Sequence, residues 1–225
     1  MKNTLLIGLA SAGITLTTST SGATFDDIEL WVGSGANRAA LVLDWNDGQS
    51  AESLLWGYQW DGMATGLDMF QAVVSADPAL FSYVGQYSWG TAILGIGYDL
   101  NHTQDFGVSP ALPFGATGLL IDPNPAPDDL RAATDPGDHW EEGWNSGFWG
   151  YNLKSSELDP WTEASVGASD RILSDGFWDG YSFAPGFVSS DPSDPVAATA
   201  VPEPSIGTLM LLSGLLLSCK CGRYS

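Results

Sequence analysis

The chain has 225 residues, 27 of them acidic and 7 basic, for a formal charge of −20. That balance excludes nucleic acid as a partner, because a protein that binds phosphates must bring Lys and Arg to release counterions. Hydrophobic residues at 44%, ten Trp among them, exclude a disordered acidic chain.

The N-terminus begins Met1-Lys2, runs through apolar Leu5-Leu6-Ile7-Gly8-Leu9-Ala10 and reaches Ser21-Gly22-Ala23 before the first acidic residue. A positive start, a short apolar middle and small residues at the last and third-last positions are what signal peptidase requires. Residues 1–23 therefore read as an N-terminal signal helix removed on export. The hydroxyl-rich run Thr15 to Thr20 argues against a buried core helix there.

Residues 24–188 read as the exported domain, expected to be α+β, mainly antiparallel β with one principal helix. Strands are predicted at Ile28–Gly33 and along Ala39–Trp45, where Leu41, Leu43 and Trp45 share a face. After Asn46-Asp47-Gly48 a second run puts Leu54, Trp56, Tyr58 and Trp60 on one face, which predicts an antiparallel pair. A helix follows. Thr65 and Asp68 have capping-box spacing, Leu67, Phe70, Val73 and Val74 form an apolar stripe, and Asp77-Pro78 stops it. Further strands are expected at Ala92–Asp99, Phe148–Leu153 and around Trp161–Val166.

Turn formers crowd Asp122 to Asp129, Asp135 to Asp138 and Ser189 to Pro195. The last of these opens a linker, 189–200, and about seventeen flexible residues from there would span roughly 20–25 Å. Within 24–200 the balance is 26 acidic residues against Arg38, Arg131, Lys154 and Arg171. Both cysteines, Cys219 and Cys221, lie near the C-terminus, so the domain is expected to be held by burial alone.

The C-terminus, residues 201–225, places Pro202-Glu203-Pro204 before an apolar stretch, Ile206 to Ser218, and a short basic end, Lys220 and Arg223. Those three blocks in that order resemble the PEP-CTERM sorting signal. The resemblance implies a substrate of an exosortase-type processing enzyme in a Gram-negative bacterium. Such a protein crosses the inner membrane, is held transiently by a C-terminal transmembrane helix, and passes to the cell envelope or extracellular matrix. Thirteen residues make roughly 20 Å of helix against a hydrocarbon core of about 30 Å, a short anchor suited to temporary retention. Lys220 and Arg223 would stay on the cytoplasmic side.

Two further likenesses fall in the domain. Ala40 to Gly48, Trp56 to Gly62 and Ala64 to Met69 are similar to a group of exported PEP-CTERM proteins of unassigned activity. Trp149-Gly150-Tyr151 with Ala164-Ser165-Val166-Gly167-Ala168 resembles β-grasp domains like the C-terminal domain of transcobalamin, which implies a β-grasp-like fold and small-ligand capture.

Chemistry is thinly signalled. His102 and His139 are the two histidines, and no Gly-x-Ser-x-Gly, Gly-x-Gly-x-x-Gly, phosphate loop or His-Glu-x-x-His occurs. His139 stands beside Asp138, Glu141 and Glu142, a pattern that reads as a solvated charge cluster sooner than a metal site. Asp44-Trp45-Asn46-Asp47-Gly48 and Asp99-Leu100-Asn101 offer oxygen donors that calcium prefers, but neither follows the EF-hand loop. No cofactor, metal or catalytic residue is expected.

The ten Trp invite a sugar-stacking role, with core packing as the competing one. Trp45, Trp56 and Trp60 fit core faces, whereas Trp140, Trp144 and Trp149 follow a loop and are the candidate ligand-stacking residues. The expected function is a non-enzymatic structural or binding component near extracellular polysaccharide. The alternative is a carbohydrate- or small-molecule-binding module with an aromatic site. Replacing Pro202-Glu203-Pro204 by three alanines should shift the protein between cell fractions and leave its mass at that of the unprocessed tail. Unchanged distribution and mass on fractionation would refute the sorting role.

Overall fold

A computed structural model of the chain describes residues 22–199. The sorting motif Pro202-Glu203-Pro204, the apolar stretch, Lys220 and Arg223 lie outside the described residues, as does nearly all of the expected signal peptide. Among the described residues no helix is long and apolar enough to cross a membrane.

In chain order the strands are β1 (Trp31–Gly33), β2 (Asn37–Asp44), β3 (Ser53–Trp60), β4 (Leu80–Tyr87), β5 (Gly90–Tyr98), β6 (Val108–Ser109) and β7 (Leu119–Asp122). They continue with β8 (Ala132–Ala133), β9 (His139–Glu142), β10 (Gly147–Lys154), β11 (Thr162–Glu163), β12 (Trp178–Pro185) and β13 (Val196–Ala197). Helix α1 (Gly66–Ala76) follows β3. The domain is thus mainly β with one helix, as the alternating runs predict, although its sheets are mixed as well as antiparallel.

The larger sheet has the order β1-β3-β2-β12-β10-β11, with β13 also on β3. β2 and β3 pair antiparallel from Asn37↔Trp60 to Asp44↔Ser53, the pair that the alternation predicts. β12 runs parallel to β2 and antiparallel to β10. A smaller sheet, β7-β4-β5-β9, is built from residues between α1 and β10.

One apolar core joins both sheets and the helix. Leu41, Leu43, Trp45, Leu54, Trp56 and Trp60 meet Met69, Phe70, Val73 and Val74 of α1 and Leu80, Val84, Ile96 and Tyr98 of the smaller sheet. Being central, β2 is covered on its other face too, where Ala40 and Val42 pack with Leu55 and Trp178. That explains its unbroken Ala39-Ala40-Leu41-Val42-Leu43. Trp45 pins the sheets together, its Nε1 donating to the Ile96 carbonyl at 3.0 Å.

Helix α1 has both capping-box bonds between Thr65 and Asp68. Its end is fastened by Asp77, buried, which accepts from Trp56 Nε1 at 2.8 Å and from the Ala79 N–H at 2.9 Å. Burial pushes that carboxyl above its usual value, with the Trp56 bond working the other way.

Three expectations need correction. The strand expected around Trp161–Val166 is only Thr162–Glu163; beyond it the chain becomes a strap along the start of α1, whose Gly66 and Leu67 N–H groups donate to Arg171 and Ala168 carbonyls. β4 and β12 were not anticipated, and β12 (Trp-Asp-Gly-Tyr-Ser-Phe-Ala-Pro) shows no alternation because it is buried on both faces. Residues 189–200 are not a free linker as far as they are described: β13 pairs parallel with Leu54–Leu55. Ser193 N–H donates to Asp44 there, and Ala198 is only 1% exposed.

Ala198→Asp would bury an unpaired carboxylate and should lower stability by about 2–4 kcal/mol in urea unfolding. A change under about 0.5 kcal/mol, normal for a solvated linker, would refute this packing.

Candidate functional site

β10, β12 and β5 converge with the start of α1 around a cavity of about 410 Å³. β10 contributes Gly147, Phe148, Trp149 and Tyr151, and β12 contributes Tyr181. Thr91 to Leu94 of β5, Leu67 of α1, Val166 to Ser169 of the strap, Gly143, Trp144 and Phe187 complete the lining. Not one of these side chains is charged.

The three sequence-predicted aromatics separate here. Trp144, 45% exposed, lines the cavity. Trp149 also lines it but is buried, with its Nε1 donating to the Glu141 carbonyl at 3.2 Å. Its ring stands edge-on to Trp45 and Phe183. Trp140 is a correction: it is buried in a separate cluster with Tyr83, Leu94 and Val108, against Phe106 and Phe114, and takes no part in the cavity. Its ring lies so close over Gly95 and Gly97 that a Cβ there would stand 2.6 and 2.8 Å from it. Spacing after a loop did not distinguish it from Trp144, because both faces of β9 are covered.

Trp89, Tyr87, Phe148, Phe187 and Tyr181, not singled out from sequence, matter as much. Trp89, Tyr87 and Trp144 form a three-ring column, Tyr87 lying 4.7 Å from Trp89 at 10° and 5.3 Å from Trp144 at 11°. The column braces Trp144 at the cavity wall. Phe148 and Phe187 stack at 6.2 Å. Tyr151 and Tyr181, opposite each other in the β10–β12 register, stack at 4.7 Å.

Beneath these tyrosines sits Asp179, 0% exposed. Tyr151 Oη donates to its Oδ2 at 2.5 Å and Arg171 Nε donates to its Oδ1 at 3.4 Å. Burial pushes the Asp179 carboxyl up, opposed by those two partners. Burial also holds Tyr151 and Tyr181 well above the usual phenol value, so both stay protonated at any physiological pH. Gly66 opens α1 against this group, where a Cβ would stand 2.3 Å from Tyr151 Oη and 2.7 Å from Asp179 Oδ2.

A second ionisable group lies across the core. His139 is not in a solvated cluster, as its neighbours suggested, but fully buried. Its Nδ1 meets Asp47 Oδ2 at 2.7 Å, its Nε2 meets the Ala51 carbonyl at 3.0 Å, and its ring stacks on Trp45 at 4.6 Å. Burial works against the Asp47 carboxylate, but His139 and Gln49 outweigh it and hold it below its usual value. Glu141, two residues on and thus on the same strand face as His139, is pushed up to about 7 by burial and by Asp47. Burial, Asp99 and Asp135 push Asp138 up to about 6.

The sequences weighed for calcium are turns. Asp44 accepts from the Asn46 N–H, Asp47 from the Gln49 N–H, and Asp99 from Thr103 and Gln104. Among the described residues no three His, Cys, Asp or Glu side chains gather as metal donors. Compared with protein-family models, with curated proteins and with solved structures, the chain matches none.

Glu141 and Asp138 bind protons more tightly folded than unfolded, where carboxyls titrate near 4.5 and 3.8. Stability should therefore rise as pH falls from about 7.5 to 5, Glu141 contributing roughly 2 kcal/mol of the change at about 1.4 kcal/mol per pKa unit. Thermal unfolding of Glu141→Gln should be higher than the parent at pH 7.5 and depend less on pH. A parent melting temperature that is flat or falls over that range would contradict these placements.

Proposed function

We propose that this chain is an exported PEP-CTERM protein of the cell envelope whose domain is a non-enzymatic binding module working near extracellular polysaccharide. The end blocks support the first half: a signal-peptide pattern at residues 1–23 and Pro202-Glu203-Pro204, an apolar stretch, Lys220 and Arg223 at the other end. One observation carries the second half, the uncharged cavity with two Trp, two Tyr and two Phe in its wall. The cavity falls in the size range of small-ligand sites.

Topology supports the finer fold reading. The order β3-β2-β12-β10, with β2 and β12 parallel at its centre and α1 following the β2–β3 pair, corresponds to a β-grasp with the smaller sheet inserted between α1 and β10. Trp149, Tyr151, Val166, Gly167 and Ala168, which carry the resemblance to β-grasp domains, line the cavity. Catalysis finds little support. Both His139 nitrogens are engaged and its ring has no solvent access.

With a charge of −20, the module repels anionic glycans and suits neutral ligands. Tryptophan fluorescence of the exported protein against a panel of neutral oligosaccharides and neutral small molecules should reveal saturable binding. Trp144→Ala should weaken it by about tenfold or more without lowering the melting temperature. Silence across the panel, or binding indifferent to Trp144, would overturn the proposal.

A further inference from the structure

Removal of residues 1–23 on export would make Thr24 the first residue of the mature chain, and in the uncut chain its nitrogen is already held. The Thr24 N–H donates to Asp27 Oδ2 at 2.7 Å, and its Oγ1 donates to the same oxygen at 2.8 Å. Asp27 N–H donates back to the Thr24 carbonyl at 3.1 Å, closing a short 3-10 turn, Phe25–Asp27. The two Thr24 bonds hold the exposed Asp27 carboxyl below its usual value.

The residues that follow fix this turn to the domain. Phe25 N–H donates to Glu157 Oε2 at 3.1 Å across 132 positions. Its ring stands edge-on to Trp178 at 5.2 Å, and the Arg38 guanidinium lies over it at 5.4 Å. Ile28, 7% exposed, then packs with Ala40, Val42, Leu55 and Trp178 on the outer face of the larger sheet. Anchors on both sides of the turn thus keep Thr24 beside Asp27. Asp26, Glu157 and Arg38 share the wall of one hollow with Thr24 and complete its charged surroundings.

Hydrolysis changes the charge at that nitrogen without requiring it to move. Water adds across the Ala23–Thr24 bond, the carboxylate departs with Ala23, and Thr24 keeps the nitrogen. At pH 7, below the ordinary α-amino value of about 7.7–8.0, that nitrogen is an ammonium. An ammonium on a carboxylate makes a hydrogen bond roughly twice as strong as a neutral amide does. Resting on the export reading, we propose that signal-peptide removal creates its own clamp: the freed Thr24 ammonium pairs with Asp27, fastens the N-terminal segment to the larger sheet and withdraws the terminus from aminopeptidases.

The test expresses the full chain in a Gram-negative host and identifies the first residue of the exported protein by intact mass and N-terminal sequencing. That protein and its Asp27→Asn variant are then acylated at pH 7 with a succinimidyl ester, and the N-terminal peptide is quantified. Asn keeps an acceptor and removes only the charge. Thr24 should react about threefold more slowly in the parent, the range of an exposed ion pair, with aminopeptidase trimming slowed alike and the melting temperature the same in both. In the parent alone, 1 M salt should speed the labelling by screening the pair, a readout independent of how the variant folds. A chain that starts at Thr24 but labels equally in parent and variant, or without dependence on salt, overturns this inference and leaves export standing. A first residue other than Thr24 overturns the clamp alone, whereas a chain recovered uncut inside the cell overturns the export reading and the clamp with it.

Discussion

A carboxylate without any solvent contact must be answered on every side, and Asp179 organises the domain around that requirement. Its partners come from separate parts of the chain: Tyr151 from β10, Arg171 from the strap, and the first turn of α1 pressed so close that only Gly66 fits. Leaving a charge like this unpaired would cost about 3–5 kcal/mol, so this one group ties sheet, helix and strap to one another. The positive end of the helix adds its own favourable field to the carboxylate.

The same arrangement explains why the domain has a hole. Tyr151 is drawn down onto Asp179, and Tyr181 stacks on Tyr151 and leans on Phe70 in the core. The strap is held to the helix start by backbone bonds, Leu67 to Ala168 and Gly66 to Arg171, which keep Val166 to Ser169 away from β10. Small residues, Gly167 and Ala168, face the opening. Anchoring to a buried charge thus decides where the strap runs, and its small side chains do not fill what lies beneath.

Much of this frame was legible in the residues. The β2–β3 pair, the Thr65–Asp68 cap and the Asp77-Pro78 stop are local signals, and each appears where local rules place it. β12 was hidden because a strand covered on both faces loses its period of two, and its Asp, Gly and Ser read as a turn. Trp140 and Trp144 had the same sequence surroundings; what separates them is whether Phe106 and Phe114 or open space lies above the ring, and those two residues are more than 20 positions away. The Asp47–His139 contact spans 92 positions, so the neighbouring acids, not the true partner, coloured the sequence reading of His139.

β13 has a consequence for processing at the tail. Ala198 is clamped against the sheet, and three residues, Thr199, Ala200 and Val201, separate it from Pro202. A stretched chain advances at most about 3.6 Å per residue, so the start of the proposed sorting motif cannot lie more than roughly 15 Å from Ala198. If the chain is cut at that motif, as proposed, the enzyme would have to reach a bond within that distance of the folded body.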